Sequence, residues 1–176
     1  MPTEKPMDTF EELLDLRMKA QLAQQEDYDK EISKVLTFKV AEQTYAIEIE
    51  YVTEIIEIPH ITVVPAVPEY IKGIINVRSK IVPVMNMRTR FNKPETAYTD
   101  RTCVIIVNAL DMTVGLIADS VSDVLPVRES NMSATPDAMN VNADKFIKYI
   151  VETEDGVNLV LDVERLLGDR TPEPLV

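Results

Sequence analysis

With 176 residues the chain is long enough for one domain or two closely packed lobes, and its core must be aliphatic, since 45% of residues are hydrophobic but only 6% aromatic. A formal net charge of −12 argues against binding a phosphate backbone, which calls for a basic stripe. A single cysteine, Cys103, excludes an internal disulfide, and within TCVIIVNA it reads as a small buried hydrophobe in a reducing cytosol.

The N-terminal MPTEKPMDTFEELL has neither the basic start nor the apolar run of a signal peptide, and no later run reaches the roughly 20 apolar residues of a membrane helix. The expectation is a cytoplasmic protein that meets membranes only through partners. Residues 8–33 read as an amphipathic helix followed by a polar linker. Thr9 and Glu12 make a capping box, and Phe10, Leu13, Leu14, Met18 and Leu22 fall on one stripe. That stripe suits packing on the chain's own domain or binding a partner, and spacing does not choose between them.

From residue 35 the period shortens to two. In VLTFKVAEQTYAIEI, Leu36, Phe38 and Val40 alternate outward to a turn at AEQT, and Tyr45, Ile47 and Ile49 alternate back, which predicts a hairpin. Ile49, Val52, Ile55 and Ile56 are spaced like a short helix or tight turn. Pro59, Pro65 and Pro68 mark an extended connection, and PEYIKG (68–73) reads as one helical turn ended by Gly73. Strands follow at 74–77 and 81–85, with Pro83 at an edge or bulge where no ladder N–H is needed. Asn86 then caps a short helix, MRTRF.

Residues 101–127 predict two strands around a turn near Ala109 to Met112, and 128–140 is irregular. FIKYIVETEDGVNLVLDV forms a hairpin turned at Asp155-Gly156, and VERLL a last short helix. Many short strands with few helices argue for a mainly β fold of barrels or a sandwich.

Reactive constellations are sparse. His60 is the only histidine, without a cysteine or second histidine nearby, so no metal site is expected. The four glycines, Gly73, Gly115, Gly156 and Gly168, fit neither phosphate-binding loop. Acidic pairs such as Asp119 and Asp123 read as solvated carboxylates rather than an acid and a base. Neither a catalytic residue nor a cofactor is expected. More informative are Glu54 in YVTEII and Arg78 in INVRSK. Each alone reads as a solvated charge, and if the segments meet they form an ion pair that holds local geometry.

These segments carry a resemblance. TFKVAEQTYAIEIEYVTEI (37–55), PAVPEYIKGIINVRSKIVPVMNMRTRF (65–91), VIIVNALDMTVGLIADSVSDVL (104–125) and VLDVERLL (160–167) occur in the order and approximate spacing of the CheW family, the bacterial chemotaxis coupling proteins. The chain resembles that family from residue 34 to about 168. The resemblance implies two interleaved five-stranded barrel lobes over 34–172, with 1–33 a helical extension and linker and 173–176 a tail. It also implies a non-catalytic adaptor between a chemotaxis histidine kinase's regulatory domain and the cytoplasmic tip of a chemoreceptor. An adaptor of a non-flagellar chemosensory pathway, with an extra partner recruited by the N-terminal helix, is the alternative.

By position, Val52, Glu54, Gly73, Arg78, Gly115 and Val124 match family sites for receptor or kinase coupling, and the apolar surface between lobes matches the receptor groove. Gly73 and Gly115 equally suit a role in core geometry. Three departures stand out. Ser79 replaces a glycine after the signature arginine, Asn86 replaces an aspartate before the next helix, and Tyr149 fills a region where the family has glycine.

Overall fold

A computed structural model describes residues 10–20, 29–135 and 144–168. Helix α1 covers residues 10–20. Strands β1 (Glu31–Val40) and β2 (Gln43–Glu48) form the expected hairpin, and a 3-10 turn at Ile49–Tyr51 leads into β3 (Val52–Glu57). Next come β4 (Ile71–Val77), β5 (Lys80–Asn86), α2 (Met87–Arg90), β6 (Cys103–Ala109), β7 (Met112–Ala118) and β8 (Ser120–Arg128). The chain closes with β9 (Met132–Ser133), β10 (Ile147–Thr153), β11 (Gly156–Leu161) and α3 (Val163–Gly168).

The strands make two sheets. One has six strands in the order β8-β1-β2-β11-β10-β9, and the other five in the order β3-β6-β7-β5-β4. The five-stranded sheet is therefore inserted whole between β2 and β8 of its neighbour, which is the interleaving that the resemblance implies. The first lobe has six strands rather than five because a two-residue β9 pairs with β10. β1 starts at Glu31, slightly ahead of the expected boundary at residue 34.

Both faces of the central strands are covered, which explains the unbroken apolar runs in the sequence. On β1, Leu36, Phe38 and Val40 face a core shared by the two sheets, while Val35 faces a separate core inside the first sheet with Ala46, Tyr149 and Val160. On β6, Ile105 and Val107 enter the shared core, and Val104 and Ile106 line the interior of the second sheet with Ile75, Val82 and Ile117. Each sheet thus curls around its own core and lends its back to a common one. The few aromatics concentrate there. Tyr45 of β2 meets Phe91 beyond α2 with ring centroids 4.8 Å apart, and the buried Arg90 guanidinium lies 4.2 Å from the Tyr70 ring and 4.5 Å from the Phe146 ring.

Some sequence expectations need correction. Ile55 and Ile56 belong to a strand, since only Ile49–Tyr51 turns helically before β3. PEYIKG is a turn closed by Ile71 N–H to Pro68 C=O (2.9 Å) and then the start of β4, so Gly73 lies inside a strand. Residues 101–127 hold three strands, because the chain leaves the second sheet after β7 and enters the first as β8. In the last hairpin Thr153 pairs with Gly156, so the loop is Glu154-Asp155. Thr9, Leu22, most of the linker, 136–143 and 169–176 lie outside the described residues. The capping expectation holds, with Asn86 accepting the Thr89 N–H at 3.2 Å. Pro83 is neither on an edge strand nor at a bulge, since β5 lies between β7 and β4 and Pro83 pairs with Ile74, but it precedes Val84, where pairing with β7 begins. Ile81, near the start of β5, is 63% exposed.

The crossing from β7 to β8 is pinned by Asp119. Its carboxylate accepts the Ala41 N–H at 2.7 Å and two donors of Arg88, Nε at 2.9 Å and Nη2 at 2.6 Å, while its own N–H donates to Lys39 C=O at 2.9 Å. The hydrogen bond to Asp119 raises the Arg88 pKa further above its already high value, so the guanidinium stays charged. Asp119 joins the β1–β2 turn of one sheet to α2, which follows β5 of the other. Replacing Asp119 with Ala strands a guanidinium and a backbone N–H, and chemical denaturation should show a loss of about 2 kcal/mol.

Glu95, after α2, is held below the ordinary carboxylate range, chiefly by Lys72 and then by the Thr89 hydroxyl at 2.8 Å. A carboxylate with a depressed folded pKa stabilises above its unfolded pKa, and the contribution disappears as pH falls through the folded value. Thermal melts of Glu95→Gln across the acid range should therefore lose less stability on acidification than the parent.

Candidate functional site

The β4–β5 hairpin ends in a two-residue loop, Arg78-Ser79, between the paired Val77 and Lys80. Both loop residues have positive φ, 49° and 68°, as a type I′ turn requires. Asn76 steadies the loop, its Oδ1 accepting the Ser79 N–H at 3.0 Å. From the tip, Arg78 Nε reaches Glu54 Oε2 on β3 at 3.1 Å. Sequence separation hides this contact. β3 and β4 are the two edges of the five-stranded sheet, and its curl brings the hairpin tip over β3. The Arg78 side chain is 84% exposed and that of Glu54 only 22%, so the pair presents a cation on an anchored carboxylate.

The other candidate residues spread around this feature. Val52 begins β3 and packs against the shared core. Gly73 is buried at a β-bulge with φ of 148°, where an added Cβ would lie 2.1 Å from Thr62 C=O. Gly115 is buried on β7, where a Cβ would meet Val104 at 2.6 Å and Val84 at 2.9 Å. Both glycines therefore act on backbone approach and core packing. Val124 is exposed on β8, an edge of the other sheet. Glu54 and Arg78 are brought together, whereas Gly73 and Gly115 lie behind the surface and Val124 on a different edge.

Between the β3 edge of one sheet and the β8 edge of the other runs a groove of about 500 Å³, lined by Lys39, Ile55, Arg101, Cys103, Ser120, Val121 and Ser122. It is not the purely apolar surface expected between lobes. Ile55 and Val121 supply the apolar part, and two cations and two serines frame it. Burial pushes the Cys103 thiol above its ordinary pKa, so this residue lines the groove as a neutral hydrophobe. Sequence reasoning missed Lys39 and Arg101, since only the meeting of the two sheet edges gathers them. His60 is exposed, and no grouping of three or more His, Cys, Asp or Glu side chains suited to a metal occurs among the described residues.

A mainly β pair of sheets, one inserted in the other with a groove between their edges, is the class of structure defined here. The fold is shared with the crystal structure of scaffolding protein TtCheW from Thermoanaerobacter tengcongensis, with a TM-score of 0.72 and 31% identity over 81% of this chain and 92% of that one. The family model for the CheW-like domain matches residues 34–171. Chemotaxis protein CheW of Bacillus subtilis is 34% identical over 81% of this chain and 92% of its own length, and that of Klebsiella aerogenes is 30% identical over 76% and 80%. The chain belongs to the CheW family.

The turn geometry makes Ser79 a strained stand-in for glycine. Ser79→Gly should raise stability by about 1 kcal/mol in urea titrations, because glycine adopts this φ without steric cost. Gly73→Ala should lower stability by about 3 kcal/mol or more in the same assay, since the methyl group meets backbone rather than a movable side chain.

Proposed function

We propose that this chain is a non-catalytic scaffold that couples the cytoplasmic tips of chemoreceptors to a chemotaxis histidine kinase within signalling arrays. Membership of the CheW family across residues 34–171 carries the reading. The surface chemistry accords with it. An exposed guanidinium held by Glu54 gives a partner a directed charge, and the groove beside Ile55 suits a helix with an apolar stripe and acidic flanks. On this reading the protein works in the cytoplasm and meets the membrane only through receptors.

The six family positions then divide by mechanism. Arg78 and Glu54 act directly at a partner surface, and Val52 and Val124 contribute apolar area near the two sheet edges. Gly73 and Gly115 act indirectly by allowing backbone and core to approach closely. Partner surfaces read through exposed charge can be changed without unfolding the domain, which separates the first group from the last.

The test is reconstitution with the kinase regulatory domain and a receptor cytoplasmic fragment. Arg78→Glu places two carboxylates together on an exposed tip, so ternary assembly should fall about tenfold or more while the thermal midpoint changes little. Unchanged assembly and kinase control by this variant would remove Arg78 from the coupling surface.

A further inference from the structure

Several exposed cations on the two sheets find a carboxylate, as Lys34 does with Glu31, Arg78 with Glu54 and Lys148 with Glu48. The two at the groove do not. Acidic side chains outnumber basic ones 30 to 18, yet neither the Lys39 ammonium nor the Arg101 guanidinium makes an ion pair or hydrogen bond among the described residues. The Ser120 and Ser122 hydroxyls of the same lining form no hydrogen bond there either, and no carboxylate among the described residues lines the groove. Of the acids near these positions, Asp119 is held by Arg88 and the Ala41 N–H, and Asp123 accepts the Val124 N–H. Glu42, Glu57 and Asp100 are exposed and pair with neither cation. The groove therefore offers positive charge that the chain itself does not neutralise.

The cations come from different lobes. Lys39 lies near the end of β1, opposite Ser120 of β8 in the six-stranded sheet. Arg101 lies two residues before Cys103, which opens β6 opposite Glu57 of β3 in the five-stranded sheet. Ile55, 44% exposed, and Val121 supply the apolar surface of the same groove. An occupant that satisfies all four carries apolar side chains with a carboxylate to either side. A helix presents such a stripe and both flanks together, whereas a strand sends alternate side chains to opposite faces. We propose that Lys39 and Arg101 determine the specificity of the groove, one from each lobe, by selecting a partner helix that bears carboxylates on both flanks of its apolar stripe.

This deepens the coupling reading and rests on it, the selected helix being that of the chemoreceptor tip. A chain with a net charge of −12 repels an acidic helix from most directions, so the two free cations also give the approach a direction. Both side chains are exposed, and exposed charges at an interface act more on encounter and on rejecting wrong partners than on raw affinity. Receptor helices with neutral or basic residues at that level are then discriminated against, and the discrimination weakens as salt screens the charges.

The test measures binding to the full chain, at low and high salt, of a receptor cytoplasmic fragment and of three helical peptides that share one leucine stripe and differ in flanks of Glu, Gln or Lys. At low salt the Glu-flanked peptide should bind about tenfold or more tighter than the Lys-flanked one and should displace the receptor fragment. Lys39→Gln and Arg101→Gln should each cut that preference about threefold or more without moving the thermal midpoint, and K39E/R101E should reverse it in favour of the Lys-flanked peptide. Equal binding of the three peptides, or a preference that both Gln variants leave intact, would overturn the assignment and leave receptor coupling standing. A receptor fragment that does not bind, beside a Glu-flanked peptide whose preference depends on Lys39 and Arg101, would support the charge selection and overturn the receptor reading instead.

Discussion

The Asp119 carboxylate sits where the chain changes sheets, and the relation of the two lobes depends on it. Strand β7 belongs to the five-stranded sheet and β8 to the six-stranded one, with one residue between them. That residue bonds to Arg88 after β5 and to the backbone of the β1–β2 turn. Sheets that share a core through aliphatic contacts alone could slide, because apolar burial is not directional. A bidentate carboxylate–guanidinium bond is directional, so the crossing sets orientation while the core supplies area. Ser120, Val121 and Ser122 follow directly along β8 and line the groove, so the same residue that joins the lobes also positions one of its walls.

The sequence made most hairpins legible, for a clear physical reason. Alternation survives wherever a strand turns back on its neighbour, as in residues 35–48, and turn residues then mark the reversal. It failed where the chain served two sheets. Ile49, Val52, Ile55 and Ile56 look helical by spacing because a 3-10 turn and a bulge at the start of β3 shift the period. Residues 101–127 read as two strands because Asp119 resembles an ordinary polar surface residue, and only the two-sheet topology shows that it separates the second strand from a third. The Glu54–Arg78 pair follows from the sequence only on the condition that the segments YVTEII and INVRSK meet. Its cause, the curl that brings a hairpin tip over a distant edge, was not readable from periodicity. Lys39 and Arg101 stayed invisible for the same reason, being far apart in sequence and gathered only by the meeting of two edges.

Ser79 and Asn86 show two outcomes of departing from a family pattern. Asparagine retains the capping oxygen that the helix start needs, and the bond to Thr89 N–H is made. Serine at φ of 68° carries a side chain where glycine has none, yet the turn keeps its type because Asn76 holds the loop N–H. Hydrogen bonding from a neighbour thus sustains a backbone shape that the loop residue itself disfavours, and the adjacent arginine remains where Glu54 can reach it.

The insertion of one sheet within the other also orders events during synthesis. Residues 52–118 contain every strand of the five-stranded sheet and can pair as soon as they emerge. Strand β1, made earlier, must wait for β8, and Thr37 finds its partner Asp123 only 86 residues later. Until then the β1–β2 hairpin holds Leu36, Phe38 and Ile47 with only part of their eventual cover. The inserted sheet is therefore suited to serve as the template on which the older hairpin waits, and closure of the first lobe becomes the late step that commits the chain to its native state.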